Sequence, residues 1–497
     1  MIPRIFLIAA LLASSAFAGD APKMKMESVR ATPVAADPAA GKKLYQRWCT
    51  QCHGDEGKGD GPAAEFVYPR PRDFTLALYK VRSTPSGQLP TDHDLFKVIS
   101  EGLPGTSMPA WNKYLSENER WQLVHYVKTF DTLGLFKDEA PTQRIAMDSP
   151  PQITPVLIAR GKELYQSKKC WECHGKEGRG DGNKADTQKD DWGFPIRPVN
   201  FTKSWRFRGG DRIEDIFRTF TTGFNGTPMP SFVDAIPAAE DRWALAAFIK
   251  SLARPQKTGQ VLRAIHRDGD IPADPYAKAW EDAEFVDFPL AGQIILDPRW
   301  FKPAHDVITA RALYNDKEIA VLVEWDDGTY SRGDGNKPAD QVALQLPVTI
   351  SADEKPYFLL GDKKHAVDYW RWNAKDGLAR FAAEGATRMS PRETGALAAQ
   401  GGYKDGQYRV ILRRPLKSGK EDEVPFEPGK FVPIAFHLWD GDQGEEGLKM
   451  SISTWYYLLP QPKTPFTIYL WPLGLGFLAL GGEFWLIRRV RRKEKPA

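Results

Sequence analysis

The chain has 497 residues, 42% apolar and 27% charged, the balance of ordinary globular domains and enough length for about three of them. Its net charge of +4 includes a basic cluster at the C-terminus, so the rest is near neutral and gives no reason to expect nucleic acid binding.

Residues 1–18 carry a lone Arg4, an apolar run from Ile5 to Leu12, and Ala16-Phe17-Ala18 before Gly19. That is the pattern of a secretory signal peptide with an A-x-A cleavage site, which predicts export from the cytoplasm. Gly19 to Asp37 is expected to be poorly ordered.

A first unit is predicted over residues 38–147. It opens on Gly41-Lys42-Lys43-Leu44-Tyr45-Gln46 and reaches Cys49-Thr50-Gln51-Cys52-His53. A glycine-rich loop (Gly54, Gly57, Gly59, Gly61), Pro71-Arg72-Asp73-Phe74-Thr75 and Gly105-Thr106-Ser107-Met108-Pro109 follow. Trp121, Val124, Val127 and Phe130 then mark one face of a closing helix. After a joint at Asp148-Ser149-Pro150-Pro151, a second unit over 156–254 repeats every feature in order. Gly161-Lys162-Glu163-Leu164-Tyr165-Gln166 leads to Cys170-Trp171-Glu172-Cys173-His174, then to Pro198-Val199-Asn200-Phe201-Thr202 and Gly226-Thr227-Pro228-Met229-Pro230. Trp243, Ala246, Ile249 and Leu252 close it. His and Met are equally spaced in the two units: 108 − 53 = 55 and 229 − 174 = 55.

The two C-x-x-C-H motifs predict two covalent haem c groups. Cys49 and Cys52, like Cys170 and Cys173, supply thiols for the porphyrin vinyls, and His53 and His174 reach the iron. A thioether is the usual sixth ligand of electron carriers, which assigns Met108 and Met229 to the opposite faces. Disulfides, a zinc site and a redox dithiol are the alternatives. All four cysteines lie in the two motifs, each pair followed by His, no further Cys completes a zinc site, and the βαβ context of a thioredoxin-like motif is missing. Pro109 and Pro230 stiffen the chain after each Met. With both axial positions filled, the irons suit outer-sphere electron transfer rather than peroxide chemistry. His93 and His125 are expected to be ordinary packing or surface residues. The two units resemble class I cytochrome c domains, a resemblance that covers about residues 38–254 and implies an all-α fold.

Beyond a joint near Arg254-Pro255-Gln256-Lys257, residues 258–460 alternate apolar and polar positions in short runs, as in Ile319, Val321, Val323 and Trp325. Further strands are expected over Val307–Tyr314, Val342–Leu346, Val367–Trp372, Tyr408–Arg413, Val432–Leu438 and Ser451–Leu458, which together predict a β-sandwich. The stretches 320–327, 340–347, 356–362, 369–372 and 449–458 resemble the ethylbenzene dehydrogenase-related haem-binding domain, which includes γ subunits of periplasmic molybdenum oxidoreductases. That resemblance implies one non-covalent haem b held by a Met and a Lys, and a molybdoenzyme or iron–sulfur subunit as redox partner. Lys449 stands where the Lys is expected, but Leu360 replaces the Met, which brings His365 and His437 forward as other haem b candidates.

Residues 465–487 form an apolar stretch long enough, at ~1.5 Å per residue, to span a ~30 Å hydrocarbon core. It carries Glu483 and is followed, within residues 488–497, by Arg488-Arg489-Val490-Arg491-Arg492-Lys493. By the positive-inside rule that tail is cytoplasmic and everything before the span periplasmic. The expected architecture is multidomain: two all-α cytochrome c domains, a mostly β sandwich, then one C-terminal transmembrane helix. The expected function is a membrane-anchored periplasmic multihaem cytochrome, γ-like in its third domain. It would pass electrons between a nitrate or nitrite oxidoreductase-type molybdoenzyme, or a quinol-oxidising complex, and other cytochromes. One alternative is a dihaem cytochrome whose sandwich is a haem-free docking or ligand-binding module. Another is a multihaem peroxidase, which needs an open iron position and has Met108 and Met229 against it.

Overall fold

The computed structural model describes residues 25–136, 141–351, 354–417, 419, 423–463 and 467–493. The expected signal peptide, residues 1–18, and the last four residues of the chain lie outside these. Two helical units come first, then a large β region, then one apolar helix.

In the first unit the helices are α1 (Pro38–Trp48), α2 (Thr50–His53), α3 (Asp92–Glu101) and α4 (Glu117–Lys128). Asp37 starts α1 by accepting the Ala39 and Ala40 N–H groups, and Ser116 starts α4 through a capping box with Glu119. In the second unit the matching helices are α5 (Pro155–Ser167), α6 (Trp171–His174), α7 (Ile213–Thr222) and α8 (Ala239–Leu252). The first and last helices of each unit cross closely enough to need glycine. A Cβ on Gly41 would lie 2.7 Å from the Gln122 carbonyl oxygen, and one on Gly161 would lie 2.0 Å from that of Ala244. Trp121, Val124 and Val127 are buried on α4, as are Trp243, Ala246 and Ile249 on α8. Phe130 lies beyond the end of α4, yet its ring still packs on Tyr45 at 4.8 Å.

One expectation is corrected at the N-terminus. Of Gly19 to Asp37, residues 19–24 lie outside the described residues, and the rest is ordered: β1 (Met26–Ser28) pairs antiparallel with β2 (Gln143–Ile145), and Ile145 is buried. The segment is short and polar, so its order comes from a partner more than a hundred residues away, which local composition does not reveal.

The β region contains β3 (Val261–His266), β4 (Val286–Pro289), β5 (Ala291–Gly292), β6 (Val307–Tyr314), β7 (Glu318–Asp326), β8 (Gln341–Pro347), β9 (Val367–Asn373) and β10 (Gly377–Ala383). It continues with β11 (Met389–Arg392), β12 (Ala398–Lys404), β13 (Gln407–Pro415), β14 (Val432–Trp439), β15 (Ser451–Ile452) and β16 (Tyr456–Pro460). The sheet order is β11-β10-β9-β8-β14-β16-β3-β6-β7-β13-β12. Strand β14 is the fold line. Its first half pairs with β16 and its second half with β8, so one continuous sheet turns back on itself. Leu262, Val321 and Val410 from one arm share a buried core with Leu344, Trp370 and Phe436 from the other, which makes the sandwich. The expected run Ser451–Leu458 is split at Ser453-Thr454-Trp455. There the Ser453 hydroxyl accepts the Phe436 N–H at 2.8 Å, and the chain passes from one arm to the other.

The units are tied by charge. Lys97 meets Asp215 at 2.8 Å between the helical units. Asp326, at the end of β7, takes Arg179 at 2.6 Å, Lys203 at 2.8 Å and the Asn200 amide at 2.9 Å, all from the second unit. Helix α9 (Thr467–Lys493) ends the described chain. Its stretch Leu470–Arg489, mean hydropathy 1.5, is long and apolar enough to cross a membrane, and Trp471 and Phe477 are exposed on its surface.

Candidate functional site

Each helical unit encloses one deep apolar cleft. That of the first unit is lined by Cys49, Cys52, His53 and Met108, with Tyr79, Leu95 and Trp111 among its walls, and holds about 1310 Å³ of space open to solvent. That of the second is lined by Cys170, Cys173, His174 and Met229, with Phe207, Phe220 and Ile249, and holds about 1280 Å³. The structure therefore brings together, unit by unit, the residues that the motifs single out.

Local folding explains the placement. Cys49 caps α1 by donating its N–H to the Tyr45 carbonyl, and the remainder of the motif forms the one-turn α2. The loop then folds back at Gly54, whose φ of +74° suits glycine, and Tyr45 pins the turn by donating its hydroxyl to the Gly54 carbonyl at 2.8 Å. Tyr165 does the same to Gly175 at 2.6 Å. Each methionine follows a threonine two residues earlier. Met108 donates its N–H to the Thr106 hydroxyl at 3.1 Å, and Met229 to that of Thr227 at 3.3 Å.

The histidines are fixed from behind. His53 Nδ1 faces the Arg72 carbonyl at 3.0 Å, and His174 Nδ1 faces that of Val199 at 3.1 Å. Phe74 stacks on His53 at 4.5 Å and Phe201 on His174 at 4.2 Å. Burial lowers the pKa of His53, and pushes that of His174 down to about 4, so both rings are neutral near pH 7. Burial also pushes the Cys49 thiol up to about 12 and Cys170 up to about 11. None of the four cysteines is in a disulfide.

The donor set fits a c-type haem: two thiols, a neutral imidazole with one nitrogen free, a thioether and apolar walls. Polar atoms left over in the walls fit it as well. Arg72 Nη1, Tyr79 Oη and Trp111 Nε1 are buried without a hydrogen-bond partner, as expected of a rim that meets an anionic edge. Arg208 lines both clefts, and Lys80 beside it is pushed down to about 7 by burial and by Arg72 and Arg208. Sequence reasoning did not assign roles to Arg72, Phe74, Arg208 or Lys80. The signal for Phe74 was present in the repeat, since Phe74 and Phe201 are equivalent positions, as are Arg72 and Val199.

The three haem b candidates occupy different settings. His437 is fully buried on β14, with Nδ1 2.9 Å from the Tyr369 hydroxyl, and burial pushes its pKa down to about 4. His365 lies in a loop between Glu354 at 3.1 Å and Asp362 at 3.3 Å. Lys449 Nζ stands 5.7 Å over the Trp300 ring. Leu360 is buried among Tyr369, Trp439, Met450 and Trp455. Of the histidines expected to be ordinary, His125 faces the Val34 carbonyl at 2.9 Å and His93 packs edge-on against Trp121.

Residues 36–127 match the family described as cytochrome c oxidase, cbb3-type, subunit III, residues 158–253 match cytochrome c, and residues 277–390 and 382–451 match ethylbenzene dehydrogenase. A Haloferax mediterranei protein named as a respiratory nitrate reductase heme subunit is 26% identical over 228 residues, covering 45% of this chain and 82% of its own length. The chlorate reductase subunit gamma of Ideonella dechloratans is 25% identical over 206 residues, covering 40% and 84%. A chain of the Kuenenia stuttgartiensis reducing HAO-like protein complex is 42% identical, covering 44% of this chain and 100% of its own, with a TM-score of 0.42. The cytochrome c matches imply covalently bound haem c. The chain thus joins two regions that match cytochrome c families to one that matches the ethylbenzene dehydrogenase family.

Proposed function

We propose that this protein is a dihaem electron conduit, a γ-like subunit held at the periplasmic face of the cytoplasmic membrane by α9. Cys49, Cys52, His53 and Met108 hold one haem c, and Cys170, Cys173, His174 and Met229 hold the other. A bound haem c supplies one-electron iron chemistry. The chain's own residues hold each imidazole neutral, orient it through a backbone carbonyl, and place a soft thioether across the cleft, which favours the reduced ion. The observation that carries this reading is the pair of equivalent clefts, each uniting a C-x-x-C-H motif with its own Met, and both bordered by Arg208.

The relatives' names support a partner of the molybdoenzyme class, with other cytochromes on the far side of the transfer. The basic cluster Arg488-Arg489-Val490-Arg491-Arg492-Lys493 at the end of α9 supports the cytoplasmic position of the C-terminus. The close packing around Leu360 favours a second reading of the β domain, as a haem-free docking module. Spectroelectrochemical titration of the detergent-solubilised protein tests the function. Two one-electron waves and rapid electron exchange with a soluble cytochrome c are expected. A protein that reduces peroxide but exchanges no electrons with the soluble cytochrome c would contradict the reading.

A further inference from the structure

Away from the two clefts, one buried cluster keeps polar atoms that have no hydrogen-bond partner among the described residues. His305, in the loop before β6, is 7% exposed; Asp327, just past β7, is 3% exposed; Asp440, just past β14, is 0% exposed. One potential ligand atom from each lies within 4.8 Å of the other two. His305 Nε2 stands 3.5 Å from Asp327 Oδ2, longer than an ordinary hydrogen bond. His305 Nε2, Asp327 Oδ2 and Asp440 Oδ2 are all buried without a hydrogen-bond partner.

Each carboxylate is already oriented by its other oxygen. Asp327 Oδ1 accepts the Thr329 N–H at 2.9 Å and its hydroxyl at 3.0 Å, and Asp440 Oδ1 accepts the Gln443 N–H at 3.1 Å. Fixed ligands with one free oxygen each are what surrounding hydrogen bonds produce around an ion. Two further fully buried carboxylates stand behind them. Asp340 accepts the Gly441 N–H at 2.8 Å, and Glu445 accepts the Asp440 N–H at 3.0 Å. The facing cations are His305 itself, when protonated, and Arg197, whose Nη1 is 4.0 Å from Asp440 Oδ2. Asp327, Asp340, Asp440 and Glu445 thus exceed His305 and Arg197 by two negative charges.

We propose that His305, Asp327 and Asp440 bind a divalent first-row transition-metal ion, zinc foremost, which ties the ends of β7 and β14 to the loop before β6. One imidazole with two carboxylates suits zinc or manganese, whereas calcium takes six to eight oxygens and no imidazole. Metal bonds of ~2.0–2.2 Å need only a modest contraction of this cluster. Binding would satisfy three buried atoms at once, displace the His305 proton and offset two of the three negative charges then left uncompensated.

The test uses the full-length holoprotein, stripped with chelator, equilibrated with Zn²⁺, Mn²⁺ or Ca²⁺ in turn, and assayed by elemental analysis with haem iron counted separately. One equivalent of zinc or manganese per chain is expected. His305→Gln and Asp440→Asn should each weaken it at least tenfold while the haem c spectrum and far-ultraviolet dichroism stay unchanged. X-ray absorption at the zinc edge of the wild-type protein should show one imidazole among oxygen ligands, a readout that does not depend on the variants folding. A folded wild-type protein that takes up neither zinc nor manganese would overturn the proposal. So would an ion retained at full affinity by both variants, or a site that accepts calcium alone.

Discussion

His53 Nδ1 lies 3.0 Å from the carbonyl oxygen of Arg72, and because a carbonyl only accepts, that nitrogen carries the ring proton. The other nitrogen, Nε2, therefore presents a lone pair. His174 and Val199 repeat the relationship at 3.1 Å. With the imidazoles set in this way, the methionine side of each cleft is open to a direct test. Met108→Ala should remove about half of the methionine–iron charge-transfer absorbance, Met229→Ala the other half, and the double variant all of it. An unchanged band in either single variant would remove that Met from the ligand set.

Arg208 borders both clefts, so its charge acts on both proposed irons. Removing a cation favours the oxidised ion. Arg208→Met should lower both midpoint potentials by tens of millivolts, on a scale where about 59 mV is tenfold for one electron. Redox titration of the variant checks this, and a shift in only one wave would place the charge in one unit alone.

The join between the second helical unit and the β domain rests on Asp326. Burial raises its carboxyl pKa, but Lys203 and Arg179 outweigh burial and hold it well below the ordinary range. A depressed pKa contributes stability that is whole above the unfolded value of about 3.9 and fades as pH falls towards the folded one. Asp326→Asn, which strands two cations, should cost about 3–5 kcal/mol at neutral pH. Denaturation curves from pH 7 down to 3 should show that deficit constant to about pH 4 and shrinking below it. A deficit that grew as pH fell would reverse the assignment.

Gly161 tests the helix crossing. A Cβ there would meet the Ala244 backbone oxygen at 2.0 Å, and backbone cannot rotate away as a side chain does. Gly161→Val should destabilise the second unit by about 1–3 kcal/mol or more. Chemical denaturation followed by tryptophan fluorescence measures it, with Gly259→Ala, whose Cβ would make only an ordinary contact with Val286 Cγ1 at 3.5 Å, as the mild control.

Much of the site was legible because the chain states it twice. The repeat aligned Cys49 with Cys170, His53 with His174 and Met108 with Met229, and each set lines one cleft. Strands with strict alternation were legible too: β6 spans Val307–Tyr314 as expected, and β7 surrounds the predicted run. Strands β10 and β12 were not. Gly377–Ala383 and Ala398–Lys404 lie towards the sheet edges, half-exposed and rich in alanine and glycine, so no alternation marks them. The cluster at His305, Asp327 and Asp440 was equally hidden, since its members are scattered over more than a hundred residues and meet only when strand ends converge.

The most direct measurement is a pyridine haemochrome spectrum with haem counting on the purified full-length protein. Two covalent c-type haems per chain are expected, with loss of one on Cys52→Ser and of the other on Cys173→Ser. A protein carrying fewer than two c-type haems, or keeping both in either variant, would contradict the dihaem reading.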